Sequence, residues 1–495
     1  MPPAFRAGEL HAFSLTALAA TAAVALTGGL LTLSAGSAAA ATPLAPGRAD
    51  ADFNHDGYAD VAISSSHAYV SGHKNAGAVS VLYGGKSGQR TATYTQNSAG
   101  VPGAAEADDY FGADTAFGDF NNDGYDDLVV GAPGEDVGSD KDGGTAAILW
   151  GSASGLKGGT TLKDPRPTKH DNYGAPLEAG DFNGDKRDDI AVGTTSGAAT
   201  VDVLRGGFSS TKGGGAGSYT VSPAVWSGKG AGIKNLHSGD VNADGKEDLI
   251  VNGYAKNDDL DANYWLPGSA SGATTKGAQR LPAGFITDIG NTDKDGYADI
   301  VTGLEWDSGI GHAHKGGTAL IIHGTRRGPA SGTIQTFTQD TAGVPGAGEK
   351  NDWFGSELDL GDVNGDGHLD LIVGAPGETV GSAKATGAVT VLFNPADGSG
   401  ITGTGSGFLS QNSAGVPNED EANDGFGSEV HIDDLNGDKK GDLIIAAPWE
   451  NGNGAVYPLL TQPNGKSFKG SAGVYVSTVG ISTAGTPVFG HNMAD

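Results

Sequence analysis

The sequence predicts an all-β fold: a seven-bladed β-propeller with four-stranded antiparallel blades, its ring closed by the C-terminal strand. Three observations carry this expectation. A nine-residue acidic pattern recurs seven times along the 495 residues. An apolar run, a loop and a Gly-led segment of β character recur after the acidic pattern. No long segment has helical periodicity.

The acidic copies span 52–60, 119–127, 181–189, 240–248, 291–299, 362–370 and 434–442. Their starts are 67, 62, 59, 51, 71 and 72 residues apart. That period suits one four-stranded blade with generous loops. The apolar runs that follow include LVVGAP and LIVGAP, and the Gly-led segments include GAVSVLYGG from Gly77 and GAVTVLFN from Gly387. Short alternating strands come next, at 91–95 and 333–338 for example, bounded by Gly, Asn, Asp and Ser turns.

Aromatic-Gly pairs at Phe111, Tyr173, Phe354 and Phe426 fall eight residues before an acidic copy. Gly131-Ala132-Pro133 and Gly374-Ala375-Pro376 form the second recurring element. With these elements the chain resembles the FG-GAP repeats of the integrin α-subunit propeller and its bacterial secreted relatives. The third, fourth and fifth repeats lack the Gly-Ala-Pro triplet, and the fourth and fifth lack the aromatic-Gly pair.

The first acidic copy starts too close to the expected mature N-terminus for an aromatic-Gly strand to precede it. Phe489-Gly490 near the C-terminus supplies one. Residues 483–495 are therefore expected to form the innermost strand of blade one, which would close the ring without a covalent bond.

In D-x-[DN]-x-D-G-x-x-D, positions 1, 3, 5 and 9 carry oxygen-bearing side chains and position 7 offers its backbone carbonyl. Hard Ca²⁺ takes six to eight oxygens, and a tight loop with alternate donors can surround it. The expected ligands are Asp52, Asn54, Asp56, Tyr58 and Asp60 in the first loop, then Asp119, Asn121, Asp123, Tyr125 and Asp127. The third and fourth loops offer Asp181, Asn183, Asp185, Arg187 and Asp189, and Asp240, Asn242, Asp244, Lys246 and Asp248. The fifth offers Asn291, Asp293, Asp295, Tyr297 and Asp299, and the sixth Asp362, Asn364, Asp366, His368 and Asp370. The seventh offers Asp434, Asn436, Asp438, Lys440 and Asp442. Up to seven Ca²⁺ are expected. Lys186 and Lys439 stand where glycine is favoured at position 6, so the third and seventh sites are expected to be strained and weakened by charge. Three carboxylates per loop repel one another without a cation, which a metal-free turn leaves unexplained. Mg²⁺ suits the donor count less well, and zinc lacks clustered Cys or His.

The net charge of −29 disfavours nucleic acid and anionic membranes as partners. Seven bound Ca²⁺ would bring that charge to about −15. The chain has no cysteine, so it has neither disulfides nor thiolate sites. Residues 1–41 follow the plan of a secretory signal peptide: Arg6, an apolar stretch over 13–33, and small residues offering cleavage near Ala40 and Ala41. The mature chain, 42–495, is expected to be secreted, extracellular, monomeric and without a membrane span.

No G-x-S-x-G elbow, Walker A loop or H-E-x-x-H occurs. His312 and His314 lie near Glu305 and Asp307, and a solvated loop is the favoured reading. Acidic clusters precede the Phe-Gly pairs: Glu106, Asp108 and Asp109; Glu349 and Asp352; Glu419, Asp420, Glu421 and Asp424. They are read as solvated charge, with ligand contact as the alternative. Trp306, Trp353 and Trp449 fall in loops, as a platform or as inter-blade packing. The expected function is a non-catalytic binding or adhesion module for an extracellular protein or glycan. The alternative is an extracellular hydrolase or lyase working in the propeller channel.

Overall fold

A computed structural model describes residues 50–494 except 87, 168, 170–171, 195–198, 227–231, 255–260, 333 and 471. The expected signal peptide lies outside these residues. Among the described residues, no helix is long and apolar enough to cross a membrane.

Seven antiparallel sheets follow one another along the chain. Blade 1 pairs Met493–Ala494, Asp60–Ser65, Ala78–Tyr83 and Arg90–Tyr94, from channel to rim. Blade 2 is Thr115–Gly118, Asp127–Ala132, Thr145–Trp150 and Lys157–Leu162, and blade 3 is Leu177–Gly180, Asp189–Gly193, Val201–Leu204 and Ser218–Val221. Blade 4 runs Ile233–Gly239, Asp248–Tyr254, Asp261–Leu266 and Gln279–Arg280. Blade 5 runs Thr287–Gly290, Asp299–Leu304, Thr318–Ile322 and Gln335–Phe337. Blade 6 is Glu357–Gly361, Asp370–Ala375, Ala388–Leu392 and Gly407–Leu409. Blade 7 is Glu429–Asp433, Asp442–Ala447, Ala455–Thr461 and Phe468–Gly470, and a short fifth segment, Val474–Tyr475, pairs with its third strand.

The ring closes as the termini imply. Ile63 pairs with Met493 and Ala62 with Ala494. The closing strand is shorter than the expected span, because most of 483–490 is turn or irregular backbone ending on buried Phe489. Gly490 nevertheless donates its amide to Ser64, at 3.0 Å, so the docking starts before the strand.

The second strands read as continuous apolar runs because both of their faces are covered. Seven apolar clusters result, one at each junction of neighbouring blades; Ile372 and Val389 of blade 6, for example, pack with Phe426 and Leu443 of blade 7. Val61 and Ile63 of blade 1 pack with Ile444 and Val456 of blade 7, which makes the last junction like the others.

The aromatic-Gly pairs serve these junctions. Phe111, Tyr173, Phe354 and Phe426 each form a parallel bridge with a glycine leading the previous blade's third strand, such as Gly77 or Gly387. Phe489 matches them, donating its amide to Asn453. The Gly-Ala-Pro glycines are required by the same approach. A Cβ on Gly131 would lie 1.7 Å from the carbonyl oxygen of Gly174, and one on Gly374 2.0 Å from that of Gly427. In blade 5, which lacks the aromatic-Gly pair, the Phe285 amide donates to Gly303.

Strand direction alternates within a blade, so each first-to-second connection leaves on one face of the disc. The second-to-third connections and the blade-to-blade linkers leave on the other. All seven acidic loops occupy the first face.

Candidate metal centres

Each acidic loop leads into the second strand of its blade, in blades 2 to 7 directly from the first strand, and its position-9 aspartate opens the second strand. Asp60, Asp127, Asp189, Asp248, Asp299, Asp370 and Asp442 are all fully buried. One oxygen of each accepts an amide from the end of the third strand or just past it: Gly84, Gly151, Gly206, Gly268, Gly324, Asn394 and Thr461, at 2.8–3.1 Å. The position-9 carboxylate therefore fixes where its blade's third strand ends.

The remaining positions follow one plan. The position-1 aspartate accepts the amides of positions 5 and 6, as Asp52 does from Asp56 at 3.1 Å and Gly57 at 2.9 Å. The position-5 aspartate accepts the amide of position 7 with one oxygen, as Asp123 does from Tyr125 at 3.1 Å. The position-3 asparagine donates its Nδ2 to the position-9 carboxylate in six loops. That bond leaves the asparagine Oδ1 free of the same task. The side-chain donor set is thus all oxygen, as a hard divalent cation requires.

The electrostatics fit a missing positive charge. Burial, reinforced by the carboxylates at positions 1 and 5, pushes Asp60, Asp127 and Asp370 up to about 8. Asp248 and Asp442 rise to about 7 and Asp189 to about 6, mainly by burial. In the fifth loop, Asn291 Oδ1 at position 1 is buried and has no hydrogen-bond partner.

The loop backbone corrects one expectation. Positions 4 and 6 are both left-handed in all seven loops. Lys186 and Lys439 adopt φ of 65° and 67° at position 6, and both of those loops have glycine at position 4, Gly184 and Gly437. Loops with glycine at position 6 place His55, Asn122, Ala243 or Lys294 in the left-handed region instead. Every loop but one therefore carries one non-glycine residue there; the sixth, with Gly365 and Gly367, carries none. Lys186 and Lys439 strain their loops no more than His55 strains the first. The lysines that meet a loop carboxylate stand at position 7: Lys246 lies 3.2 Å from Asp244 and Lys440 3.7 Å from Asp438.

The fifth loop is the most divergent. His323 Nδ1 lies 3.2 Å from Asp299 Oδ1 and 3.4 Å from Asp293 Oδ2. The hydrogen bond to Asp299 is the largest cause holding this imidazole above its ordinary value. A protonated His323 would put a cation against the position-9 aspartate itself, whereas Lys246 and Lys440 meet only the position-5 aspartates of their loops. No spacing within the nine-residue pattern signals it, since His323 reaches the loop from the end of the third strand. His312 and His314 are exposed and, among the described residues, do not converge with carboxylates into a metal-sized group.

The loops also touch one another around the face. The position-8 amide donates to the position-1 carbonyl of the preceding loop: Asp126 to Asp52, Glu247 to Asp181, Gly441 to Asp362 and Ala59 to Asp434. Position-7 side chains meet position 4 of that preceding loop. The Tyr125 ring meets His55 edge-on at 5.8 Å, and His368 Nε2 lies 2.9 Å from Lys294 Nζ.

The first strands wall a central channel of about 500 Å³ that contains many carboxylates. Several of these clamp neighbouring blades. Asp114 accepts the amide of Leu177 at 2.8 Å, Asp288 that of Leu360 at 2.8 Å, and Asp359 that of Ile432 at 2.6 Å.

A model of the FG-GAP repeat matches residues 49–82, 111–149, 354–392 and 426–457, and a model of the FG-GAP-like repeat matches 181–251. The chain is an FG-GAP repeat protein. Among similar proteins, integrin alpha pat-2 of Caenorhabditis briggsae is 32% identical over 253 residues, 45% of this chain and 20% of that one. The phosphatidylinositol-glycan-specific phospholipase D of Mus musculus is 30% identical over 143 residues, 29% of this chain and 17% of the enzyme. The FG-GAP protein thus spans a fifth or less of the length of these relatives. The matched segments include the pairs at Phe111, Phe354 and Phe426 and all the acidic loops but the fifth.

Proposed function

We propose that this FG-GAP propeller is a secreted, calcium-stapled binding module for an extracellular protein or glycan, and that it is not an enzyme. One observation carries the reading. Among the described residues, all seven exposed large hydrophobic side chains lie in second-to-third connections or blade-to-blade linkers. They are Tyr69, Val137, Trp226 and Phe285, with Trp306, Trp353 and Trp449. All therefore stand on the face opposite the acidic loops. Exposed aromatics gathered on one face suit the anchors of a binding surface.

The acidic loops serve the other face. Calcium at positions 1, 3, 5, 7 and 9 would neutralise the buried aspartates and hold the first-to-second hairpins. The extracellular relatives and the apolar N-terminal stretch support secretion. The channel carboxylates that accept backbone amides are committed to blade geometry, which disfavours the hydrolase alternative.

The test is an array of extracellular proteins and glycans probed with the purified chain, with and without calcium, beside a panel of ester and polysaccharide substrates. Retention of a ligand without turnover is expected, and retention should fall when Trp353 and Trp449 are both changed to Ala. Turnover of any substrate that survives this double change would overturn the reading.

A further inference from the structure

The face that bears the exposed aromatics also bears a buried acidic motif that occurs three times. Gln96 donates Nε2 to Glu135 at 2.5 Å, Gln339 to Glu378 at 2.5 Å and Gln411 to Glu450 at 2.6 Å, each pair 39 residues apart. An aspartate from the linker joins each pair, Asp109, Asp352 or Asp424, and all three are buried. A glutamate three residues before the aspartate completes the set: Glu106, Glu349 or Glu421. The linker clusters read from sequence as solvated charge are therefore partly interior, because the second-to-third connection of the next blade folds over them, donating the amides of Gly134, Gly377 and Trp449 to Asp109, Asp352 and Asp424.

The copy at the junction of blades 6 and 7 is the most developed. Ligand atoms of Glu421, Asp424 and Glu450 lie within 4.8 Å of one another. Gln411 is 0% exposed, Glu450 1% and Asp424 4%. Two oxygens here are buried without a hydrogen-bond partner, Asp424 Oδ2 and Gln411 Oε1. The charges acting on Asp424 come from Glu450 and Glu421, both of its own sign. Buried polar atoms are otherwise nearly always satisfied, and buried like charges repel strongly. Two orphan oxygens beside three converging carboxylates form a donor set that lacks its cation. Gln96 Oε1 and Gln339 Oε1 are orphaned in the same way at the other two junctions. Lys315 near Asp352 and His73 near Asp109 supply part of the missing charge there.

We propose that Gln411, Glu421, Asp424 and Glu450 bind a hard divalent cation, separate from the acidic loops, with weaker copies at the 1–2 and 5–6 junctions. The donors are two or three carboxylates and an amide oxygen, a set that suits calcium. The ion would tie the blade 6–7 linker to the Trp449 loop and so order part of the aromatic face. The acidic loops need not bind metal for this to hold.

The test counts calcium. The full chain and the double variant Asp424→Asn, Glu450→Gln are dialysed against saturating calcium, and the bound metal is measured by atomic emission. The variant is expected to hold one calcium fewer per chain. The isosteric amides remove a repulsion, so the variant should stay folded in chelator, as circular dichroism will show. An equal count in a folded variant overturns the proposal and leaves a proton shared between Asp424 and Glu450 as the explanation. A second variant, Glu421→Gln, alters an exposed residue; it should weaken one site about tenfold or more, and unchanged affinity would also overturn the proposal. Failure of the acidic loops to bind would lower the parent's total but not this difference.

Discussion

The backbone amide of Ala59 donates to the carbonyl of Asp434 at 3.2 Å. This bond joins the first acidic loop to the seventh across the point where the ring closes. Equivalent bonds link Asp126 to Asp52, Glu247 to Asp181 and Gly441 to Asp362, so main-chain bonds join neighbouring loops at four of the seven junctions on this face. At these junctions a change in one loop meets its neighbour directly through the main chain.

Ring closure rests on Phe489 and the two-residue strand after it. Phe489 is fully buried among blade 1 and blade 7 side chains. Changing Phe489 to Ala should cost about 3–5 kcal/mol, the usual range for a large buried aromatic. Deleting residues 481–495 should lower the melting temperature of the whole disc, since a blade gap exposes two apolar faces. A truncated chain that melts like its parent would sink this account of closure.

Calcium removal should destabilise the propeller. Binding to the native state alone adds about 2.7 kcal/mol per site at a hundredfold excess over Kd. Scanning calorimetry in chelator should therefore show a substantially lower melting temperature than in calcium. Coincident curves would mean that the loops are metal-free turns held by their own amide bonds.

The two lysine loops offer a backbone test. Lys186 and Lys439 occupy the left-handed region, which costs an L-residue about 1–2 kcal/mol. Replacement by Gly removes that cost but frees the unfolded chain by about 0.4–1 kcal/mol. Each variant should thus gain between nothing and about 1.6 kcal/mol in urea unfolding. A loss of stability would show that these side chains do more than sit in a strained turn.

The channel predicts a pH dependence. Burial, together with Glu357 and Asp114, raises Glu429 well above its ordinary value of 4.5. A carboxyl raised in the folded state favours folding while it is protonated in both states. That contribution is complete below about pH 4.5 and is lost as pH rises through the raised value. Glu429→Gln should flatten the fall in melting temperature above about pH 4.5 and melt higher than the parent near neutral pH. A variant that tracks the parent at every pH would show that Glu429 keeps its charge in the fold.

The seven blades, their order and the closing strand were legible in the sequence, because a repeat that cannot bury its own faces must stack on its neighbours. Gly374 and Phe426 marked the blade junctions by recurrence alone, since close backbone approach tolerates no Cβ and a buried bridge favours an aromatic ring. The acidic loops were legible as oxygen-rich turns from spacing over nine residues. Their ranking was not. Which of positions 4 and 6 carries the left-handed strain depends on backbone angles, and the approach of His323 to Asp293 joins residues 30 apart. The buried acid motif was the least legible. Glu421 and Asp424 look solvated in sequence, and only the folding of the Trp449 loop over them removes their water. The recurring pattern determined what each repeat contains; tertiary structure decided which charges lie dry, because burial depends on what the neighbouring blade covers.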